Sequence, residues 1–241
     1  MNLILAEPGE IQDDRSLVLR GERLQHLRGV LVSVVGDSLR VGVINGGLGR
    51  GEIIAINADQ ARLRVELTAG PPKPLPVTVV LALPRPKMLR RLLRAVAELG
   101  VKDLHLIHSF RVEKSYWQSP LLAPDRLREY LLAGLSQAGD TVLPEVQLHR
   151  RFKPFVEDQL PSIRQERTVL LADPGASVPY PSVPPSPAVV VIGPEGGFIP
   201  FEVDLLCAHG ADPVGLGERI LRVETALQAA LGRHLEAPLQ S

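Results

Sequence analysis

Residues 39–67 alternate apolar and polar positions in three short runs, LRVGVI, EIIAI and ARLRVEL, broken by NGGLGRG and NADQ. Period-two alternation marks a half-buried strand, and glycine- and asparagine-rich breaks mark tight turns, so the segment predicts an antiparallel meander. Upstream, ERLQHLRGVLV reads as helix-like. AGPPKPLP, residues 69–76, then holds four prolines and a glycine, which predicts a linker. We place a domain boundary there, with a small, mostly β module at 1–70 and a second module at 71–241.

Beyond the linker the pattern changes. Continuous β-branched or apolar runs (VTVVLAL, DLHLIHSF, PEVQLH, TVLLAD, AVVVIG, DPVGLG) alternate with helical segments (KMLRRLLRAVAELG, PDRLREYLLAGLSQAG, KPFVEDQL, VETALQAALGRHL). Strands alternating with helices predict an α/β fold with a mostly parallel sheet covered on both faces. In the first of these helices Met88, Leu92, Val96 and Leu99 share one side, and Gly100 is the stop signal. Cys207 falls in an amphipathic stretch and is expected in the core.

Composition changes this picture in two places. The single cysteine excludes an intramolecular disulfide and any multi-cysteine metal site, which points to a reducing, cytoplasmic compartment. The six scattered histidines give no metal pair, and no metal is expected. The N-terminus MNLILAEPGE has no basic region of a signal peptide, and no apolar run is long enough for a membrane span, so no membrane partner is expected. Net charge is zero, yet residues 71–166 carry 15 basic against 10 acidic side chains, while the segments on either side are net acidic. At contact range only the local field acts, so the even total does not exclude a nucleic-acid partner.

Three late strands end in glycine-bearing loops: LLADPGA at 170–176, IGPEGGF at 192–198 and GLGERILRVET at 215–225. Ligands of open α/β sheets bind beyond the carboxyl ends of the strands. Each loop alone could be a tight strand-to-helix turn; the three together predict one composite site. There is no Walker lysine and no G-x-G-x-x-G fingerprint. The carboxylate of Glu195 within its loop disfavours a phosphate and favours a ligand with amide, hydroxyl or positive character.

IGPEGGF together with LGERILRVETA resembles the ribosomal RNA small subunit methyltransferase E family of the SPOUT superfamily, which methylates N3 of a uridine in 16S ribosomal RNA from S-adenosyl-L-methionine. The resemblance extends through HLRGVLVSVVGDSLRV, KMLRRLLRAVAELGV and LREYLLAGLSQAGDTVLPEV. It implies an N-terminal PUA-like β-barrel that binds RNA and a C-terminal α/β domain with a trefoil knot. It also implies a homodimer acting on 16S ribosomal RNA or the small ribosomal subunit. The family's Glu-Gln-Ser-Gly-Arg run is replaced by Leu135-Ser136-Gln137-Ala138-Gly139-Asp140, which lacks the arginine.

By that resemblance the cofactor would be held by Leu171, Ala172, Asp173, Ile192, Gly193, Pro194, Glu195, Gly196, Gly197, Leu216, Gly217, Ile220, Leu221, Arg222 and Thr225. A side chain in place of Gly196 is expected to occupy ligand space. Uracil N3 must lose a proton, and a cation would stabilise the charge that develops on O2 and O4. Arg222 is the first candidate and Arg219 the second, with Glu195 orienting the cofactor or a loop amide. The structural readings are that Arg222 caps a helix or pairs with Glu224, and that Glu195 accepts backbone N–H bonds. RPKMLRRLLR, residues 85–94, has five basic residues and no acid. Arg85, Lys87, Arg90, Arg91 and Arg94 are either a solvated face or contacts to RNA phosphate. Arg28, Arg111 and Lys114 are further candidates for RNA, with Tyr116 and Trp117 as stacking or packing residues. Competing readings are a SPOUT enzyme acting on another atom, such as a ribose 2′-hydroxyl, and a non-catalytic RNA-binding protein.

Overall fold

The alternation in residues 39–67 folds as three antiparallel strands. The computed structural model describes residues 3–29 and 33–235. Its first part runs β1 (Ile4–Ala6), β2 (Ser16–Leu19), α1 (Gly21–Gly29), β3 (Ser38–Val43), β4 (Leu48–Ile56) and β5 (Ala61–Ala69). These strands form a mixed sheet ordered β1-β3-β4-β5-β2, in which only the β1–β3 pair is parallel. Strand β5 shows the pattern plainly: Ala61, Leu63 and Val65 are buried, while Arg62, Arg64 and Glu66 are exposed. The buried set joins Leu17, Leu19, Leu27, Leu39, Val41 and Ile53 in one core. Residues 30–32 of the helix-like run lie outside the described residues.

The NGGLGRG segment is not all turn. Its last four residues belong to β4. Gly49 is there because a Cβ would collide with the Glu66 carbonyl of β5, at a register shift between Leu48 and Gly49. A Cβ on Gly51 would stand 2.9 Å from both Leu63 and Val41. Glycine marks close backbone approach here as well as the turn.

The second part runs β6 (Val77–Ala82), α2 (Pro86–Glu98), β7 (Asp103–Ile107), α3 (Pro124–Ala138), β8 (Glu145–His149), α4 (Phe152–Pro154), α5 (Leu160–Arg164), β9 (Thr168–Ala172), β10 (Ala188–Ile192), α6 (Pro200–Ala208), β11 (Ala211–Val214) and α7 (Val223–Gly232). A π turn, Phe155–Gln159, joins α4 to α5. The six strands form a sheet ordered β11-β9-β10-β6-β7-β8 with every pair parallel. All residues of β6 and β10 are buried. Successive side chains point to opposite faces, so both faces of the central strands are covered. Helix α7 packs on β10 and α2. In α2 the buried residues are Leu89, Leu92, Leu93, Ala95, Val96 and Ala97, whereas Met88 and, just after the helix, Leu99 are half-buried. Gly100 ends that helix with φ +79°.

The chain divides into two compact units, Met1–Lys73 with Leu132–Leu143, and Pro74–Leu131 with Pro144–Ser241. The end of α3 and the residues after it thus group with the first sheet. Leu3 N–H donates to Ser136 C=O at 2.8 Å, and Ser136 Oγ donates to Leu3 C=O at 2.7 Å. Thr141 Oγ1 donates to Gly46 C=O at 2.6 Å. The Arg40 guanidinium of β3 lies against Gly139, so a cation stands beside the run that lacks the family's arginine. Cys207, expected in the core, is half-buried, because α6 turns its neighbour Leu206 inward instead.

Candidate active site

The three glycine-bearing loops meet at the carboxyl ends of β9, β10 and β11. Strand β10 delivers Ile192 and Gly193 from the sheet, and Pro194 begins a turn closed by Gly197 N–H to Pro194 C=O at 2.8 Å. Gly197 has φ +73° and Gly217 φ +113°, left-handed conformations that a side chain strains. Pro200 then opens α6, where its missing N–H costs no hydrogen bond. The 215–222 loop is tied down by Gly215, whose N–H donates to Val178 C=O at 2.8 Å and whose C=O accepts from Tyr180 N–H at 2.8 Å.

A cavity of about 380 Å³ lies among these loops. Its walls include Leu171, Ala172, Asp173, the run Ile192–Gly197, Ile220 and Leu221. Pro174, Phe198, Val203, Val223, Ala226 and Arg111 complete it; the motifs assign none of them to the cofactor, and Arg111 is among the candidates for RNA. A smaller recess beside it takes Leu216, Gly217, Arg219 and Leu221. A second cavity, about 600 Å³, adjoins the first and shares Glu195, Ile220 and Leu221 with it. Its other walls are Arg85, Lys87, Met88, Arg91, Arg222 and Glu224. Glu195 stands on the border between a cavity of mixed charge and one rich in cations. Its Oε1 accepts from Arg85 N–H at 3.2 Å, linking the β10 loop to the start of α2.

Arg222 is exposed at the N-cap of α7, and its side chain makes no cap bond. Its C=O accepts from Ala226 N–H at 2.8 Å. The hydroxyl of Thr225 is not drawn into the site: Thr225 is exposed, and neither cavity nor the recess is lined by it. The loop after β7 supplies one wall. Phe110 N–H donates to Glu202 Oε1 at 2.7 Å, and the Arg111 guanidinium donates to Gly196 C=O. The position a Cβ of residue 196 would take lies 3.0 Å from Arg111 Cδ. The first protein group such a side chain meets is therefore the arginine stem, at the wall of the cavity that Gly196 also lines.

The RNA methyltransferase domain model matches residues 71–235. The ribosomal RNA small subunit methyltransferase E of Treponema pallidum is 31% identical over 240 residues, 95% of this chain and 89% of that protein. The chain belongs to the ribosomal RNA small subunit methyltransferase E family. Among solved structures, a Legionella pneumophila protein in complex with the bound cofactor SAM is 25% identical, with a TM-score of 0.73 over 96% of each chain. A ribosomal RNA small subunit methyltransferase E from Neisseria gonorrhoeae, bound to S-adenosyl methionine, shares the fold with a TM-score of 0.76 at 20% identity, over 96% of this chain and 95% of that one.

The remaining residues that the methyltransferase E resemblance or the basic pattern nominated stand apart from the two cavities. Arg90 and Arg94 are exposed on α2, and the Arg94 guanidinium lies 5.6 Å from the ring centre of Tyr130. Lys114 is exposed on the turn Lys114–Gln118. Arg28 is exposed and reaches Ala58 C=O at 3.4 Å. Trp117 is a packing residue: it is 7% exposed and donates its indole N–H to His108 Nδ1 at 2.9 Å. Tyr116 is half-buried, its hydroxyl donating to Glu113 at 3.1 Å. Among the described residues no helix is long and apolar enough to cross a membrane, and no group of histidine, cysteine and carboxylate side chains could hold a metal.

Proposed function

We propose that this protein transfers a methyl group from S-adenosyl-L-methionine to N3 of a uridine in 16S ribosomal RNA. The observation that carries this reading is the pair of adjoining cavities. One is walled by glycine loops and carries Asp173, Glu195 and Arg111; the other gathers Arg85, Lys87, Arg91 and Arg222. The first suits a cofactor of net positive charge with a zwitterionic tail. The second suits a polyanion and a base that becomes anionic.

The residues present fit the cofactor. Backbone of Leu171–Asp173 and Ile192–Gly197 would hold it, with Ile220 and Leu221 closing over the apolar part. When bound, it supplies an electrophilic methyl on a sulfonium. The protein's share is positioning and charge. Lys87 and Arg91 would engage phosphate and fix the nucleotide. Arg222 would lie by the pyrimidine and stabilise the negative charge on O2 and O4 as N3 loses its proton. Arg219, in the recess, is the second candidate. Glu195 would orient the start of α2 and the methyl donor against each other, through its bond to Arg85 N–H.

The same reading carries a trefoil knot near the C-terminus of the α/β domain, a PUA-like RNA-binding barrel in residues 1–70, a methyltransferase domain in 71–241, and a cytoplasmic site of action. It also carries a homodimer. Ile220 is 87% exposed, Phe110 76% and Phe201 57%, large apolar groups around the site that a second copy would cover. The test is transfer of a labelled methyl group from the cofactor to small-subunit RNA, with ATP as a competitor that has no effect. Binding of RNA without any transfer would favour the non-catalytic reading.

A further inference from the structure

Arg111 is the one basic side chain among the described residues lining the glycine-loop cavity, which the carboxylates of Asp173 and Glu195 also line. It belongs to a loop fixed at two points. Phe110 N–H is held by Glu202 Oε1 at 2.7 Å; Glu202 is 3% exposed, and its other oxygen accepts from Ile199 N–H at 3.1 Å. Arg111 itself donates to Gly196 C=O, and its stem runs across Gly196 where any Cβ would crowd it. The residue is exposed, yet its stem and its bond to Gly196 brace it against the cavity wall. A guanidinium has five N–H donors, and one bond to Gly196 leaves the rest of the fork for a ligand.

Charge then sorts the ligand's ends. The cofactor carries a sulfonium and an α-ammonium, which two carboxylates can face, and one α-carboxylate, which needs a cation. We infer that Arg111 binds the α-carboxylate of the cofactor's methionine moiety, an inference that rests on the methyltransferase reading. Its guanidinium reads the amino-acid tail, while the glycine loops hold the nucleoside. A ligand with the nucleoside and thioether but no tail gains nothing from Arg111.

The experiment compares two ligands by calorimetry on the full chain: S-adenosylhomocysteine, and 5′-methylthioadenosine, which lacks the amino-acid tail. Arg111→Met should weaken S-adenosylhomocysteine about tenfold or more, the scale of a lost charge-assisted pair. It should change 5′-methylthioadenosine by less than about threefold, near the scatter of independent effects. Arg111→Lys should recover part of the first loss, because charge remains and the planar fork does not. Equal losses for both ligands would show that Arg111 only braces the loop, and no loss would show that it is idle; either overturns the inference. If Arg111→Met does not fold, Arg111→Lys decides, since its loss must be confined to the ligand with the tail. If the unaltered protein binds neither ligand, the methyltransferase reading itself fails and the inference with it.

Discussion

Arg222 is exposed, caps α7 only through its backbone, and among the described residues its guanidinium makes no ion pair, although Glu224 lines the same cavity. An arginine that lines a cation-rich cavity with its guanidinium uncommitted suits charge that appears during reaction. Arg222→Ala should lower single-turnover methylation by about a hundredfold, roughly 3 kcal/mol in barrier, as for other lost preorganised donors. Arg222→Lys should fall less, and higher pH should partly rescue the alanine variant because more uracil is already deprotonated. Loss of cofactor binding in Arg222→Ala would make it a structural residue. Its place beside the site is legible in the sequence, since LRVET follows a glycine loop at a strand end. The position of Arg111 is not. In SFRVEKSYW it reads as one more basic residue near aromatics, and nothing local marks its bond to Gly196, 85 positions away.

Helix α2 shows what periodicity gives and withholds. Its basic side is evident, and all five cations are exposed. Only Arg85, Lys87 and Arg91 reach the second cavity, while Arg94 turns to Tyr130. Arg91→Gln should therefore weaken RNA binding and reduce its salt slope by about one ion. Arg94→Gln should leave both nearly unchanged; equal effects, measured by titration at several salt concentrations, would mean a diffuse field rather than a defined contact. Strands β6 and β10 are legible because both faces are covered, which selects unbroken apolar runs. The brace at the start of α6 is hidden, because Glu202 looks like an ordinary acidic first-turn residue. Glu202→Ala strips two backbone N–H groups of their acceptor. It should cost about 2 kcal/mol, seen as a lower thermal midpoint, and loosen the wall that Arg111 forms; an unchanged midpoint would mean that water replaces the carboxylate freely.

Across the molecule, the proline-rich stretch and the change of pattern at residue 70 mark where one sheet gives way to the other. The grouping of Leu132–Leu143 with the first unit carries no such mark. Helix α3 is periodic throughout, and its link to β1 depends on backbone bonds such as that of Leu3 to Ser136. Burial also reaches the histidines. His108, His149 and His234 are all held below the ordinary 6.5 chiefly by desolvation, with the His105 imidazole, 3.0 Å from His149, lowering that residue further. The unfolded chain then binds protons more readily than the folded one as pH falls through that value. Stability should be full above about pH 7 and decline as pH drops toward 5. Thermal midpoints across that range check this, and a midpoint flat to pH 5 would contradict it. The proposed site lies wholly in the second unit, where the two cavities adjoin, and the position of the transferred methyl is the most direct evidence on it. Small-subunit RNA modified by the protein should be digested to nucleosides and mapped by mass spectrometry. One 3-methyluridine at a single position, dependent on the cofactor, is the predicted result. A methyl on a ribose 2′-oxygen, or none despite tight cofactor binding, would contradict it.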